Sequence, residues 1–225
     1  MDCKEVLKKL KTYYSKKNIE GMARYGINTG RAYGVSVYAV RDIAKEIGKN
    51  RLLAKELWKS EIHEARILAC LIDEPGKVTE KQLDAWVGDF DSWDVCDLCC
   101  SNLFDKTEFA HQKALEWSSE KEEFVKRAAF AMMAALAVHD KKATDRDFEK
   151  FFPIIRREAT DERNYVKKAV NWALRQIGKR NRELNRMAIR TAKDIRKIDS
   201  KSARWIAADA LRELAGEKVQ KRLRK

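Results

Sequence analysis

Residues 90–100 read Phe-Asp-Ser-Trp-Asp-Val-Cys-Asp-Leu-Cys-Cys, and this run holds side chains suited to chemistry. Trp93 and Asp97 are four residues apart, so a helix sets an indole and a carboxylate on one face while Val95 and Leu98 turn toward a core. Such a carboxylate can stabilise a developing cation or orient water, and an electron-rich ring beside it attracts positive charge. The alternative is structural: Ser92 caps the helix, and Asp94 and Asp97 are first-turn acids that favour the helix dipole. The Cys96-x-x-Cys99-Cys100 cluster does not read as a metal site. A structural zinc needs four ligands, and no second Cys pair or spaced His pair accompanies it. Five cysteines, three of them on one helix, suggest reduced thiols rather than a disulfide framework. His63 and His139, near Glu64 and Asp140, read as capping or packing residues because no suitably placed nucleophile accompanies them. Trp58, Trp86, Trp117 and Trp205 read as packing or helix-contact residues.

The elements that position these groups are helices. Nine Gly and two Pro in 225 residues are too few for a many-stranded sandwich or barrel. Polar caps mark helix starts: Ser36 before a segment to about Ile47, Thr79 before Glu80–Val87, Ser92 before Trp93–Phe104, and Ser200 before Lys201–Leu214. Gly48, Gly88, Gly178 and Gly216 follow apolar-periodic segments, where a left-handed glycine would close a helix. About a dozen helices and no strand are expected. Val125-Lys-Arg-Ala-Ala-Phe-Ala resembles Val166-Lys-Lys-Ala-Val-Asn-Trp-Ala at an offset of 41, and Ala173-Leu-Arg-Gln-Ile resembles Ala210-Leu-Arg-Glu-Leu at 37. Glu64-Ala-Arg-Ile-Leu-Ala is a degenerate copy of the same inner helix. These offsets lie near the roughly 40–47-residue period of HEAT and armadillo repeats. The expected fold is all-α, an α-α superhelix of HEAT-like repeats with a concave basic face, in one domain over residues 1–225; a non-repetitive helical bundle is the alternative.

Lys and Arg exceed Asp and Glu by 13, and 10 of that excess falls in residues 176–225. Arg180, Arg182, Arg186, Arg190 and Lys193 recur at spacings that can share one helix side, a surface that attracts phosphates. An anionic membrane is the competing target, but a lipid-surface helix needs a broad apolar face, and this segment uses its apolar residues as core stripes. A solvated face is the bland alternative. Ala128–Val138, eleven residues without a formal charge, is too short against the ~18–20 residues that cross a bilayer. The N-terminal residues lack the pattern of a secretory signal, so a cytoplasmic, DNA-associated protein is expected.

Three runs occur in order at repeat-like spacing: Trp93-Asp-x-x-Asp97, Val125-Lys-Arg-Ala-Ala and Asn171-Trp-Ala-Leu-Arg. In these the chain resembles the AlkD family of alkylpurine DNA glycosylases, from about Met22 to the last helices. The resemblance implies a HEAT-like solenoid that holds duplex DNA and hydrolyses the N-glycosidic bond of cationic N3- or N7-alkylated purines. It implies action without a base pocket, through contacts made mainly to the backbone and sugar; a monofunctional reaction, no cofactor and action as a monomer are expected. Carried over by motif, Asp97 is the catalytic carboxylate, Trp93 and Trp172 face the sugar, and Arg127 is the active-site arginine. Tyr25 lies near the lesion, and Lys168 and Arg175 are DNA-binding positions on the helix bearing Trp172.

The chemistry suits these residue types. A cationic alkylated purine departs as a neutral base and needs no general acid. The deoxyribose then gains oxocarbenium character, which Asp97 can stabilise while orienting the attacking water. The indoles of Trp93 and Trp172 add attraction of the cation–π kind, about 0.5–2 kcal/mol each. Arg127 can hold a flanking phosphate or fix the Asp97 carboxylate through its planar fork of donors. Two positions depart from the family pattern: Ser92 replaces an aromatic residue, and Tyr38 stands where proline would start a helix. The alternative function is a non-catalytic HEAT-repeat scaffold for damaged or branched nucleic acid or a protein partner.

Overall fold

The computed structural model describes residues 1–224, which form two compact units, Met1–Thr107 and the segment from Glu108 onward. Unit 1 holds α1 (Cys3–Thr12), α2 (Lys16–Arg24), α3 (Val37–Ile47), α4 (Arg51–Lys59), α5 (His63–Ile72), α6 (Glu80–Gly88) and α7 (Trp93–Asn102). Unit 2 holds α8 (Ala110–Glu116), α9 (Glu123–His139), α10 (Asp145–Glu149), α11 (Phe151–Glu158), α12 (Asn164–Gly178), α13 (Arg182–Ile195), α14 (Lys201–Leu214) and α15 (Glu217–Arg224). No strand occurs among the described residues. The architecture is all-α.

Local chemistry starts many of these helices. Asp2 and Glu5 form a reciprocal capping box at α1, and the side chains of Ser36, Thr79 and Ser200 each accept the backbone N–H three residues on. Gly48 closes α3 at φ 71°, the left-handed conformation that a glycine adopts without a Cβ penalty. Gly88, Gly178 and Gly216 do not take this conformation. Gly178 is instead a packing residue: a Cβ there would lie 2.8 Å from the Cβ of Ala188 and from both δ-carbons of Leu214. Its missing side chain lets α12, α13 and α14 meet. Helix α7 ends at Asn102 rather than Phe104, because Leu103 turns out of helical geometry at φ −130° and residues 104–106 form a 3₁₀ turn.

In unit 1, α5 is buried along most of its length between α3, α4 and α7. Trp58 and Trp86 stack in parallel with ring centroids 4.0 Å apart, and Arg66 lies 5.2 Å over the Trp58 ring. In unit 2, α9, α12 and α14 pack side by side as one layer, and α11 and α13 form a second layer against it. Of the uncharged stretch, Ala128–Ala137 is the buried interior of α9. Its many alanines let α12 approach closely, as expected of a central helix that is apolar all round. No helix among the described residues is long and apolar enough to cross a membrane.

The repeat is visible in the hydrogen bonds between successive helix pairs. In unit 2, Arg127 to Tyr165, Asn171 to Asp209, and Arg175 to Glu213 each span 38 residues, and Ser202 to Glu162 spans 40. In unit 1, Tyr33 to Glu64, His63 to Asp94, and Trp58 to Asp89 each span 31. The shorter spacing explains why Glu64–Ala69 reads as a degenerate copy.

Candidate functional site

In unit 1 the candidate groups stand on α7, whose Val95, Cys96, Cys99 and Cys100 are buried and which packs on α5. Ser92 occupies the cap position, but its hydroxyl does not cap its own helix. It accepts the backbone N–H of Asn28 at 3.2 Å, while the Asn28 amide donates to Asp91 at 2.7 Å. The loop after α2 is thereby tied to the start of α7. Its far end is held by Glu64, a fully buried carboxylate on α5 that accepts the backbone N–H groups of Tyr33, Gly34 and Val35 at 2.6–3.1 Å. Gly34 supplies the left-handed turn this cradle requires, at φ 74°.

On that scaffold the Trp93 indole N–H donates to the carbonyl of Tyr25 at 3.0 Å, and the Tyr25 residue, ending α2, is 76% exposed. Asp97 follows one turn after Trp93, half-buried on α7. The structure therefore joins Tyr25 to Trp93 in unit 1, with Asp97 one turn further along α7. Asp94 is a first-turn acid, and its carboxylate meets His63 Nε2 at 2.9 Å. Burial alone would lower the His63 pKa, but the hydrogen bond and charge of Asp94, with Glu64 and Asp91, raise it overall. Burial pushes the Cys99 and Cys100 thiols well above their ordinary range, so they stay protonated and unreactive. A polar cavity of about 330 Å³ opens between the loop, α5 and the start of α7, lined by Asn28, Arg31, His63, Arg66 and Asp91 among others; neither Trp93 nor Asp97 lines it.

In unit 2, Lys168, Trp172 and Arg175 stand at i, i+4 and i+7 on α12, on the side away from its buried stripe. Arg127, only 6% exposed on α9, donates to the carbonyl of Tyr165 in the first turn of α12 at 2.6 Å. These four residues thus belong to one pair of packed helices. Lys168 is exposed and Trp172 half-exposed. Arg175 has its charge compensated, with NH1 3.2 Å from Asp209 and 2.7 Å from Glu213. Burial would raise the Glu213 carboxyl pKa, but Lys179 and Arg175 hold it below the usual range.

Trp205, expected as a packing or helix-contact residue, makes such a contact between α14 and α12. It is 41% exposed on α14, with the Lys167 ammonium 5.4 Å from its ring centroid. The repeat held the signal: the 37-residue offset that aligns Arg175 with Arg212 aligns Lys168 with Trp205. An aromatic residue thereby extends the exposed face of the layer from α12 to α14.

The sequence profile of the DNA alkylation repair enzyme family matches residues 6–214. The chain belongs to the DNA alkylation repair enzyme family. Among solved structures, one described as a new family of proteins related to the HEAT-like repeat DNA glycosylases, with affinity for branched DNA structures, matches with a TM-score of 0.79. It is 19% identical, and the match covers 95% of this chain and 96% of that one, which establishes a HEAT-like repeat fold. A designed armadillo repeat protein in complex with a peptide gives a TM-score of 0.40 at 13% identity, covering 83% of this chain and 79% of that one. Comparison with curated proteins finds no match.

Proposed function

We propose that this protein is a monofunctional DNA glycosylase of base-excision repair. It hydrolyses the N-glycosidic bond of cationic N3- and N7-alkylated purines in duplex DNA, working as a monomer, over one functional domain of residues 1–225, in the cytoplasm. The observation that carries this reading is the Trp93–Asp97 pair: an indole pinned by its N–H to the Tyr25 carbonyl, with a carboxylate one helical turn away, in a chain of the DNA alkylation repair enzyme family.

The alkylated base already carries the positive charge that makes it a leaving group, so no acid is required. As the bond to C1′ lengthens, the charge moves to the sugar, where Asp97 would stabilise it and align the water that attacks C1′. Trp93 and Trp172 would each present an electron-rich indole face to a deoxyribose. Arg127, buried and already bonded to α12, would hold a phosphate flanking the lesion, with Tyr25, Lys168 and Arg175 serving the DNA strand. No lysine nucleophile is invoked, so base release is expected without a strand nick. Incubating the protein with methylated duplex DNA tests this: free 7-methylguanine and 3-methyladenine should appear, with the backbone intact until heat or alkali is applied.

The second reading is binding to branched DNA without excision. It is favoured by the fold match to a protein so described and by the compensated charge of Arg175. Affinity for a junction with base release no faster than the spontaneous rate would select it.

A further inference from the structure

The excess positive charge of the C-terminal segment does not lie where the candidate site lies. On the α12–α14 layer several cations have partners: Arg175 and Lys179 on Glu213, and Arg212 on Asp209. On the other layer, among the described residues, Arg186 and Lys197 pair with carboxylates while Arg156, Arg190 and Lys193 do not. Helix α13 buries Leu184, Asn185, Ala188, Ala192 and Ile195 against its neighbours. Arg186, Arg190, Lys193 and Lys197, at i, i+4, i+7 and i+11, therefore share the opposite side, the last in the turn just beyond the helix. Because α12 and α13 pack through their buried stripes, this stripe and the Trp172 face point away from each other on opposite sides of unit 2.

Beside the stripe runs a groove of about 310 Å³ between α11 and α13. Phe152, Pro153 and Met187 give it an apolar lining, and Arg156 and Arg190 contribute guanidinium groups. Two acids stand on this side: Glu183 pairs with Arg186, and Asp194 pairs with Lys197. Among the described residues, no carboxylate forms an ion pair with Arg156, Arg190 or Lys193. The Asp194 carboxyl is held below its usual range by Lys197, with Arg156 and Arg190 contributing, so the surroundings of this acid are net positive.

We propose that the outward side of α13, with the adjoining edge of α11, is a second duplex-DNA surface, so that one chain holds two duplex segments at once. The stripe spans about 16 Å at ~1.5 Å per residue. A duplex offers one phosphate charge per ~1.7 Å of its axis, so several phosphates face the stripe together. Guanidinium groups match phosphate geometry, and the apolar lining between Arg156 and Arg190 accommodates deoxyribose carbons. The word "second" rests on the reading of the α12 face as DNA-binding; the surface itself does not.

The test counts duplexes. Short unmodified duplex is titrated into wild type and into Arg186→Glu/Arg190→Glu/Lys193→Glu, and the stoichiometry at saturation is measured by sedimentation. Two duplexes per wild-type chain and one per variant is the expected result. The variant should also lose about tenfold or more in affinity for a four-way junction, and the log–log salt slope should fall by about 3 for three lost phosphate contacts. One duplex in the wild type that the variant abolishes would keep α13 as the DNA surface but overturn the claim that one chain holds two duplexes, and with it the α12 reading. One duplex retained by the variant, or two retained, overturns the proposal, as does a partner that is an acidic protein. Should the charge-reversal variant unfold, Arg190→Gln/Lys193→Gln, with both side chains exposed, asks the same question. None of these outcomes depends on base excision.

Discussion

At the scale of single residues, what positions the candidate site is polar chemistry between distant parts of the chain. Glu64 illustrates this, since one buried carboxylate gathers three backbone N–H groups of the loop that reaches Trp93. Glu64→Ala leaves those donors without their acceptor, at about 1–3 kcal/mol for each group that stays buried and unsatisfied. The variant should lose at least about 3 kcal/mol in urea denaturation on that basis; unchanged stability would remove the loop-anchoring role. His63 gives a pH signature. Its pKa is raised on folding by Asp94, Glu64 and Asp91, so its stabilising contribution is complete below the unfolded value of about 6.5 and is lost as pH rises through the higher folded value. Wild type should therefore lose stability from pH 6 to pH 8 relative to His63→Gln; parallel unfolding free energies across that range would contradict it. Ser36 and Ser200 were legible as caps because their partners are three residues away. Ser92 was not, because its hydroxyl serves Asn28, 64 positions earlier.

At the scale of elements, the helices and their repeat were largely readable, since apolar periodicity and caps are local signals. The offsets of 37 and 41 match real neighbours: α9 packs on α12, and α12 on α14. Gly178 shows the limit. Its position after an apolar stripe suggested a left-handed stop, whereas the structure uses it for a three-helix approach. Gly178→Ala gains about 0.8–1.0 kcal/mol of helix propensity but forces overpacking against Ala188 and Leu214, which costs typically about 1–3 kcal/mol. A net loss is expected, and a raised melting temperature would show that the neighbours relax freely. Trp205, expected as a packing or helix-contact residue, meets Lys167 of α12 across the helix pair while staying 41% exposed.

At the scale of the whole molecule, composition revealed that the C-terminal fifty residues are basic, but not which cations are already paired. Arg175 and Arg212 find carboxylates on α14, whereas Arg190 and Lys193 do not, and linear sequence does not display partners that lie across a helix pair. Membership of the DNA alkylation repair enzyme family and the unneutralised charge both point to DNA, and the question that remains is whether chemistry follows binding. The central claim is that Asp97 assists departure of a cationic purine. Its most direct test is release of 7-methylguanine and 3-methyladenine from methylated duplex DNA by wild type and by Asp97→Asn, with DNA affinity measured alongside. Removal of a preorganised electrostatic stabiliser costs about 10²–10³ in rate, so release should fall by that order while affinity is retained. Equal release by both proteins, or wild-type release no faster than spontaneous loss, would contradict the account.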